Sequence, residues 1–193
     1  QQSHIGTPGM VQALRNEALT IVNALGSGIL ETRALLAFMP RICRHILGEE
    51  LKLPSIATWW CGQEAERRHV AGNIEGMVIG PAYSRLPFFD DNGQSVLGSS
   101  LRETAKESIS DWLASDGHRL VGQEVVKLST TPAYIDNKLV PRPMSLRVFA
   151  ARTQDGWQIM PGGFARIGSS DDVSAIAMQS GGSAADVWIV SDK

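Results

Sequence analysis

The segment LRVFAARTQDGWQIMPGGFARI, Leu146–Ile167, constrains this chain more than any other. Leu146, Val148 and Ala150 alternate with Arg147, Phe149 and Ala151, which is the two-residue period of a strand. Asp155-Gly156 supplies turn chemistry, and Trp157, Ile159 and then MPGGFAR follow on the return arm. The pattern predicts two paired strands with Arg147 on one and Arg166 on the other. A Pro161-Gly162-Gly163 bend beside them could turn backbone amides toward an anion, and a guanidinium matches the paired oxygens of phosphate or carboxylate. The alternative is an edge hairpin whose arginines are simply solvated.

The rest of the composition is that of a folded protein. Of 193 residues, 43% are hydrophobic and 20% charged, with a formal net charge of -2. This leaves no bulk electrostatic case for nucleic acid or an anionic membrane. Five of the 18 basic residues are lysine, leaving 13 arginines, a skew that favours two-point oxyanion contacts. Cys43 and Cys61 lack a second Cys or His at convincing ligand spacing, so buried thiols are expected. No apolar run approaches membrane-spanning length and no signal-peptide pattern is present, so a soluble, cytoplasmic protein is expected. The opening QQSHIGTPGM lacks an initiator Met, which suggests a piece of something longer.

Thr7-Pro8 predicts the start of a helix running to about Leu19, then a short strand at Thr20–Val22 and a glycine loop, NALGSG, at Asn23–Gly28. A helix from about Glu31 to Leu47 should be kinked or split by Pro40 and closed by Gly48. A strand at Ser55–Cys61, a helix at Glu64–Ile74 and a strand at Met77–Ile79 follow. Ser84–Gly98 reads as a loop, Leu101–Leu113 as a helix ending near Gly117, and Leu120–Lys127 as a strand. After the arginine hairpin comes a last strand, Asp186–Ser191. The layout is α+β, with a helix-rich segment over 1–75 and a strand-rich subdomain over 76–193.

Few other segments carry chemical promise. The NALGSG loop and the cluster Gln179–Ser183 could each cradle an anion or be plain turns, and neither is a P-loop. His4, His45, His69 and His118 are scattered, with no nucleophile context. Trp59 and Trp60 should project to opposite faces of their strand. Gln123-Glu124 leaves an apolar strand and suits a hinge whose main chain pairs with a purine; the alternative is two exposed polar side chains on an edge strand.

Six segments in order, Val22–Glu31, Phe38–Gly62, Val121–Pro132, Pro141–Ala151, Met160–Ile167 and Met178–Ser191, resemble the circularly permuted ATP-grasp family. The likeness is to a bacterial branch often found with an alpha-helical partner domain. It implies an ATP-grasp-like fold of mixed or antiparallel sheets flanked by helices. It also implies an ATP- and Mg²⁺-dependent carboxylate–amine ligase working through an acyl-phosphate on an amino-acid-like or peptide-like substrate. Catalysis would then be charge neutralisation and alignment, without a triad. By the same resemblance, Arg147 and Arg166 fall at the phosphate or acyl-phosphate side as catalytic residues. Gln123 and Glu124 fall at the adenine hinge, and Gly162, Gly163, Gly181, Gly182 and Asp186 in nucleotide-binding segments. Asn23 falls at a magnesium-binding segment. The chain departs from the family where Gly80 and Ala185 replace usual cations, with Arg85 a candidate stand-in for the first. A catalytically degenerate module acting as a binding or scaffold partner is the alternative these departures imply.

Overall fold

A computed structural model describes residues 7–86, 95–103, 106–170 and 182–190. Two segments rich in β-formers, β2 (Met77–Pro81) and β4 (Leu120–Glu124), are buried along most of their length and form the inner pair of a first sheet. β1 (Thr58–Trp60) and β3 (Val96–Leu97) complete it in the order β1-β4-β2-β3, with every pair antiparallel. This sheet therefore takes β1 from before residue 75 and its other strands from after it.

Both faces of the first sheet are covered. The register aligns Trp59, Gly122 and Ile79 in one row. On that side α4 (Glu64–Gly72) and α5 (Lys106–Asp116) close a core of Cys61, Val70, Met77, Ile79, Ile109 and Leu113. On the other side α2 (Arg33–Leu36) lies against β1 and β4. There Phe38, just before α3 (Met39–Leu47), meets Trp60 edge-on at 6.1 Å. The tryptophans thus divide between the two faces, as strand alternation requires.

Two residues hold this packing together. A Cβ on Gly122 would sit 2.7 and 2.8 Å from the two methyls of Val70, so only glycine lets α4 come this close to β4. Arg33, 4% exposed on α2, donates from Nε and Nη2 to the Leu86 carbonyl at 3.1 and 2.7 Å, and from Nη1 to Ser95 Oγ at 3.1 Å. It ties together two chain points 9 residues apart, and no sequence signal marked it out.

The second sheet is β5 (Thr130–Ile135), β6 (Lys138–Thr153), β7 (Gly156–Ile167) and β8 (Ser183–Trp188), antiparallel throughout and in sequence order. Asp136 and Asn137 both have positive φ (49° and 62°), the two-residue turn whose twist suits a hairpin. The next turn ends at Gly156, at φ 103°. The molecule is thus α+β with antiparallel sheets, and no strand pair among the described residues is parallel.

Several local expectations are corrected. The first helix, α1, spans only Met10–Arg15, preceded by left-handed Gly9. Thr20–Val22 is irregular, because three β-branched and apolar residues without a pairing partner do not make a strand. The Glu31–Leu47 span, by contrast, is split as expected: α2 ends at Leu36 and α3 starts at Met39, with Pro40 in its first turn, where its missing N–H costs nothing. β4 stops at Glu124 and is internal, not an edge strand. The last strand starts earlier than expected, at Ser183, and ends at Trp188. Most of the Ser84–Gly98 loop lies outside the described residues, and β3 occupies its end.

Gly122→Ala is expected to cost about 1–3 kcal/mol by overpacking against Val70, read from urea unfolding. Adding Val70→Ala should make the alanine at 122 cheaper than it is alone; equal costs in both backgrounds would contradict the close approach. The Cys61 thiol is pushed up to about 11, chiefly by burial, with a backbone hydrogen bond from Gly122 and the Arg67 charge pulling weakly back. Its folded value lies above its unfolded one, so its contribution is whole below about pH 9 and fades as pH rises toward about 11. Cys61→Ala should flatten that part of the stability–pH curve, and native Cys61 should resist alkylation at pH 8.

Candidate functional site

Register decides which residues of the second sheet share a face. Arg147 pairs with Phe164, and Phe164 pairs with Asp186; in the next row on that face, Ser145 pairs with Arg166 and Arg166 with Ala184. Arg147, Arg166 and Asp186 therefore project to the same side of β6, β7 and β8. The Arg147 guanidinium lies 5.5 Å from the centre of the Phe164 ring, which in turn packs against Phe149 at 6.1 Å. Neither Arg147 nor Asp186 enters an ion pair among the described residues. An aromatic ring thus stands between an exposed cation and an exposed carboxylate.

The Pro-Gly-Gly run has a different role from the bend expected. Val148 pairs with Gly163 but Ala150 pairs with Ile159, so Met160, Pro161 and Gly162 lie opposite the single residue Phe149. This is a bulge within β7, a feature that re-aims side chains next to it. Gly163 also pairs with Val187 and Gly162 with Trp188. A Cβ on Gly163 would run into the Arg147 carbonyl, and one on Gly162 would lie 3.1 Å from the Val187 carbonyl. The glycines let three strands meet at the arginine row. They do not form an amide-lined bend.

The remaining sequence candidates are spread out. Gln123 is buried, and its Nε2 donates to Thr58 Oγ1 at 2.9 Å on the α2 side of β4. Glu124 projects to the opposite side, toward α4 and α5. The Glu124 amide donates to the Ala57 carbonyl at 3.0 Å and the Val125 amide to Gly76 at 2.8 Å. The Glu124 amide of the expected hinge, and that of Val125 next to it, are therefore engaged within the protein. Asn23 is exposed at φ 63° in the NALGSG loop. A Cβ on Gly28 would lie 2.6 Å from Arg85 Nη1, so Arg85 reaches across the loop that carries Asn23. Gly182 directly precedes β8, and Gly181 lies outside the described residues. Gly80 is buried and paired with Val121, while Ala185 pairs with Ala165 on the sheet face away from Arg147.

Sequence reasoning missed a cleft of about 880 Å³ at the end of the first sheet, bordered by Trp59, His69, Asn73, Glu75, Met77 and Glu124. His69, one of the scattered histidines, packs its ring at a tilt against Trp59, with centroids 4.5 Å apart. Only the pairing of β1 beside β4 brings these residues together, and no local pattern signals it.

The fold is α+β, and one face of its second sheet carries Arg147, Arg166 and Asp186. The chain belongs to the circularly permuted ATP-grasp type 2 family, whose model matches residues 1–168. It is 30% identical over 182 residues to a Frankia alni protein named "Putative glutamate--cysteine ligase 2-3", covering 94% of this chain and 20% of that protein. It is 29% identical over 187 residues to the Frankia casuarinae "Putative glutamate--cysteine ligase 2-2", covering 96% and 21%. An uncharacterized Mycobacterium leprae protein is 26% identical over 188 residues, covering 97% and 33%. The chain thus spans between a fifth and a third of the length of these relatives. ATP-grasp proteins generally use ATP and Mg²⁺, and among the described residues no helix is long and apolar enough to cross a membrane.

Proposed function

We propose that this chain is the nucleotide-side portion of an ATP-dependent carboxylate–amine ligase. Its cytoplasmic setting and an amino-acid-like or peptide-like substrate belong to the same reading. The observation that carries it is the shared face of Arg147, Arg166 and Asp186 in a chain of ATP-grasp ancestry. The names of the Frankia relatives support the ligase class.

Arg147 binds phosphate oxygens with its guanidinium fork, and the Phe164 face keeps that fork extended over β7. Arg166, one row away, adds a second positive centre for the same anion. Two such groups suit a polyphosphate better than a single charge would. No three metal-binding side chains come together among the described residues. Mg²⁺ commonly keeps waters and phosphate oxygens and needs only one or two carboxylates, so Asp186 would suit it; Asn23, the position the resemblance gives to magnesium, lies apart in the NALGSG loop. ATP supplies the phosphoryl group that activates the carboxylate. The chain's own part is to orient and neutralise, a role that needs no nucleophile beside a base.

Calorimetric titration with Mg²⁺ and a non-hydrolysable ATP analogue tests this reading. The native chain is expected to bind, and Arg147→Gln to weaken binding by about tenfold, in line with one charge-assisted contact. Arg147→Lys should fall between the two. No binding at millimolar nucleotide, or an unchanged affinity in Arg147→Gln, would overturn it.

A further inference from the structure

The cleft on the first sheet is separate from the arginine-bearing face. Its volume of about 880 Å³ is that of a small-molecule site. Met77, Ile74 and Ile109 line it with apolar groups, and the adjoining, mutually tilted rings of Trp59 and His69 line it as well. Glu124 stands at its edge, exposed, on the same side of the sheet as Trp59 and Met77, and enters no ion pair among the described residues. Glu75 lines it as well.

The backbone adds to this polarity. α4 ends in the cleft, with Ala71, Gly72 and Asn73 among the lining residues. Asn73 caps that end, its Nδ2 donating to the His69 carbonyl at 2.9 Å. The end of a helix where carbonyls point outward carries partial negative charge and favours a cation. Among the described residues that line it none is lysine or arginine, whereas a carboxylate and an indole both attract an ammonium group.

We propose that this cleft binds an organic cation with an apolar stem, its ammonium group set against Glu124 and the Trp59 ring and its stem over Met77 and Ile109. The inference stands on the cleft alone and does not require the ligase reading. A phosphate-bearing ligand would meet like charge here, so the two surfaces of the chain select ligands of opposite sign.

Three probes of nearly equal size and different charge test it: n-hexylammonium, n-hexanol and n-hexanoate, titrated into the ¹⁵N-labelled chain while the Trp59 indole resonance is followed. Hexylammonium is expected to shift that resonance saturably, with hexanol about tenfold weaker and hexanoate weaker still. Glu124→Gln, at an exposed position that should not disturb folding, is expected to lower hexylammonium affinity by about threefold to fivefold. Glu50→Gln, which removes a carboxylate paired with Arg44 away from the cleft, should leave it unchanged. Absence of saturable binding, equal affinity for the three probes, or indifference to Glu124→Gln would each overturn the proposal. These outcomes do not depend on nucleotide binding, so they separate this proposal from the reading of the arginine face.

Discussion

β7 is paired with β6 along one edge and with β8 along the other, and this pairing sets what the side chains of the second sheet can reach. Strand side chains alternate with a period of two, so a slip of one residue at β8 would carry Asp186 to the other face and replace it with Ala185 or Val187. The same slip between β6 and β7 would separate Arg147 from Phe164 and from Arg166. Gly162 and Gly163 are needed for this alignment, since side chains there would press on the carbonyls of Val187 and Arg147. The bulge across from Phe149 then lets the hairpin continue to Thr153 and Gly156 with a changed register.

The alternation leaves the two faces chemically unlike. One carries Arg147, Arg166 and Asp186 with Phe149 and Phe164 among them. The other carries Leu146, Val148, Trp157 and Ile159, all more than half exposed in this chain. Here Arg152 lies over Trp157 at 6.0 Å, a contact worth about 0.5–1 kcal/mol at an exposed site. The first sheet differs in being closed on both sides, with its core centred on Val70, Ile79 and Leu113. Stability is therefore concentrated there, while the longer strands of the second sheet hold charged and aromatic groups out for contact.

Legibility in the sequence followed the range of the interactions. Alternation in Leu146–Val148 and the Asp155-Gly156 turn are local, and the arginine hairpin was readable from them. The Asp136-Asn137 turn carried an equally local signal, two residues suited to positive φ between β-rich runs, and was passed over. The family was readable because six segments stand in its order. What could not be read depends on partners distant in the chain: Arg33 on Leu86 and Ser95, Val70 above Gly122, and Trp59 beside Glu124. Thr20–Val22 failed for the converse reason, since strand propensity without a neighbouring strand has no ladder to join. Of the candidate site, Arg147, Arg166 and Asp186 were brought onto one face. Gln123 and Glu124 were sent to opposite faces of an inner strand.

Strand register, more than any single motif, puts Arg147, Arg166 and Asp186 on one face, where the proposed anion would bind. Its most direct measurement compares Ala184→Lys with Ala185→Lys, neighbouring positions that the register assigns to opposite faces of β8. Affinity for a Mg²⁺-bound ATP analogue should rise about fivefold with lysine at 184, beside Arg166, as one added exposed charge contact allows. Lysine at 185, where the family pattern usually has it, should leave affinity unchanged. A gain at 185 with none at 184 would contradict the register and the face built on it.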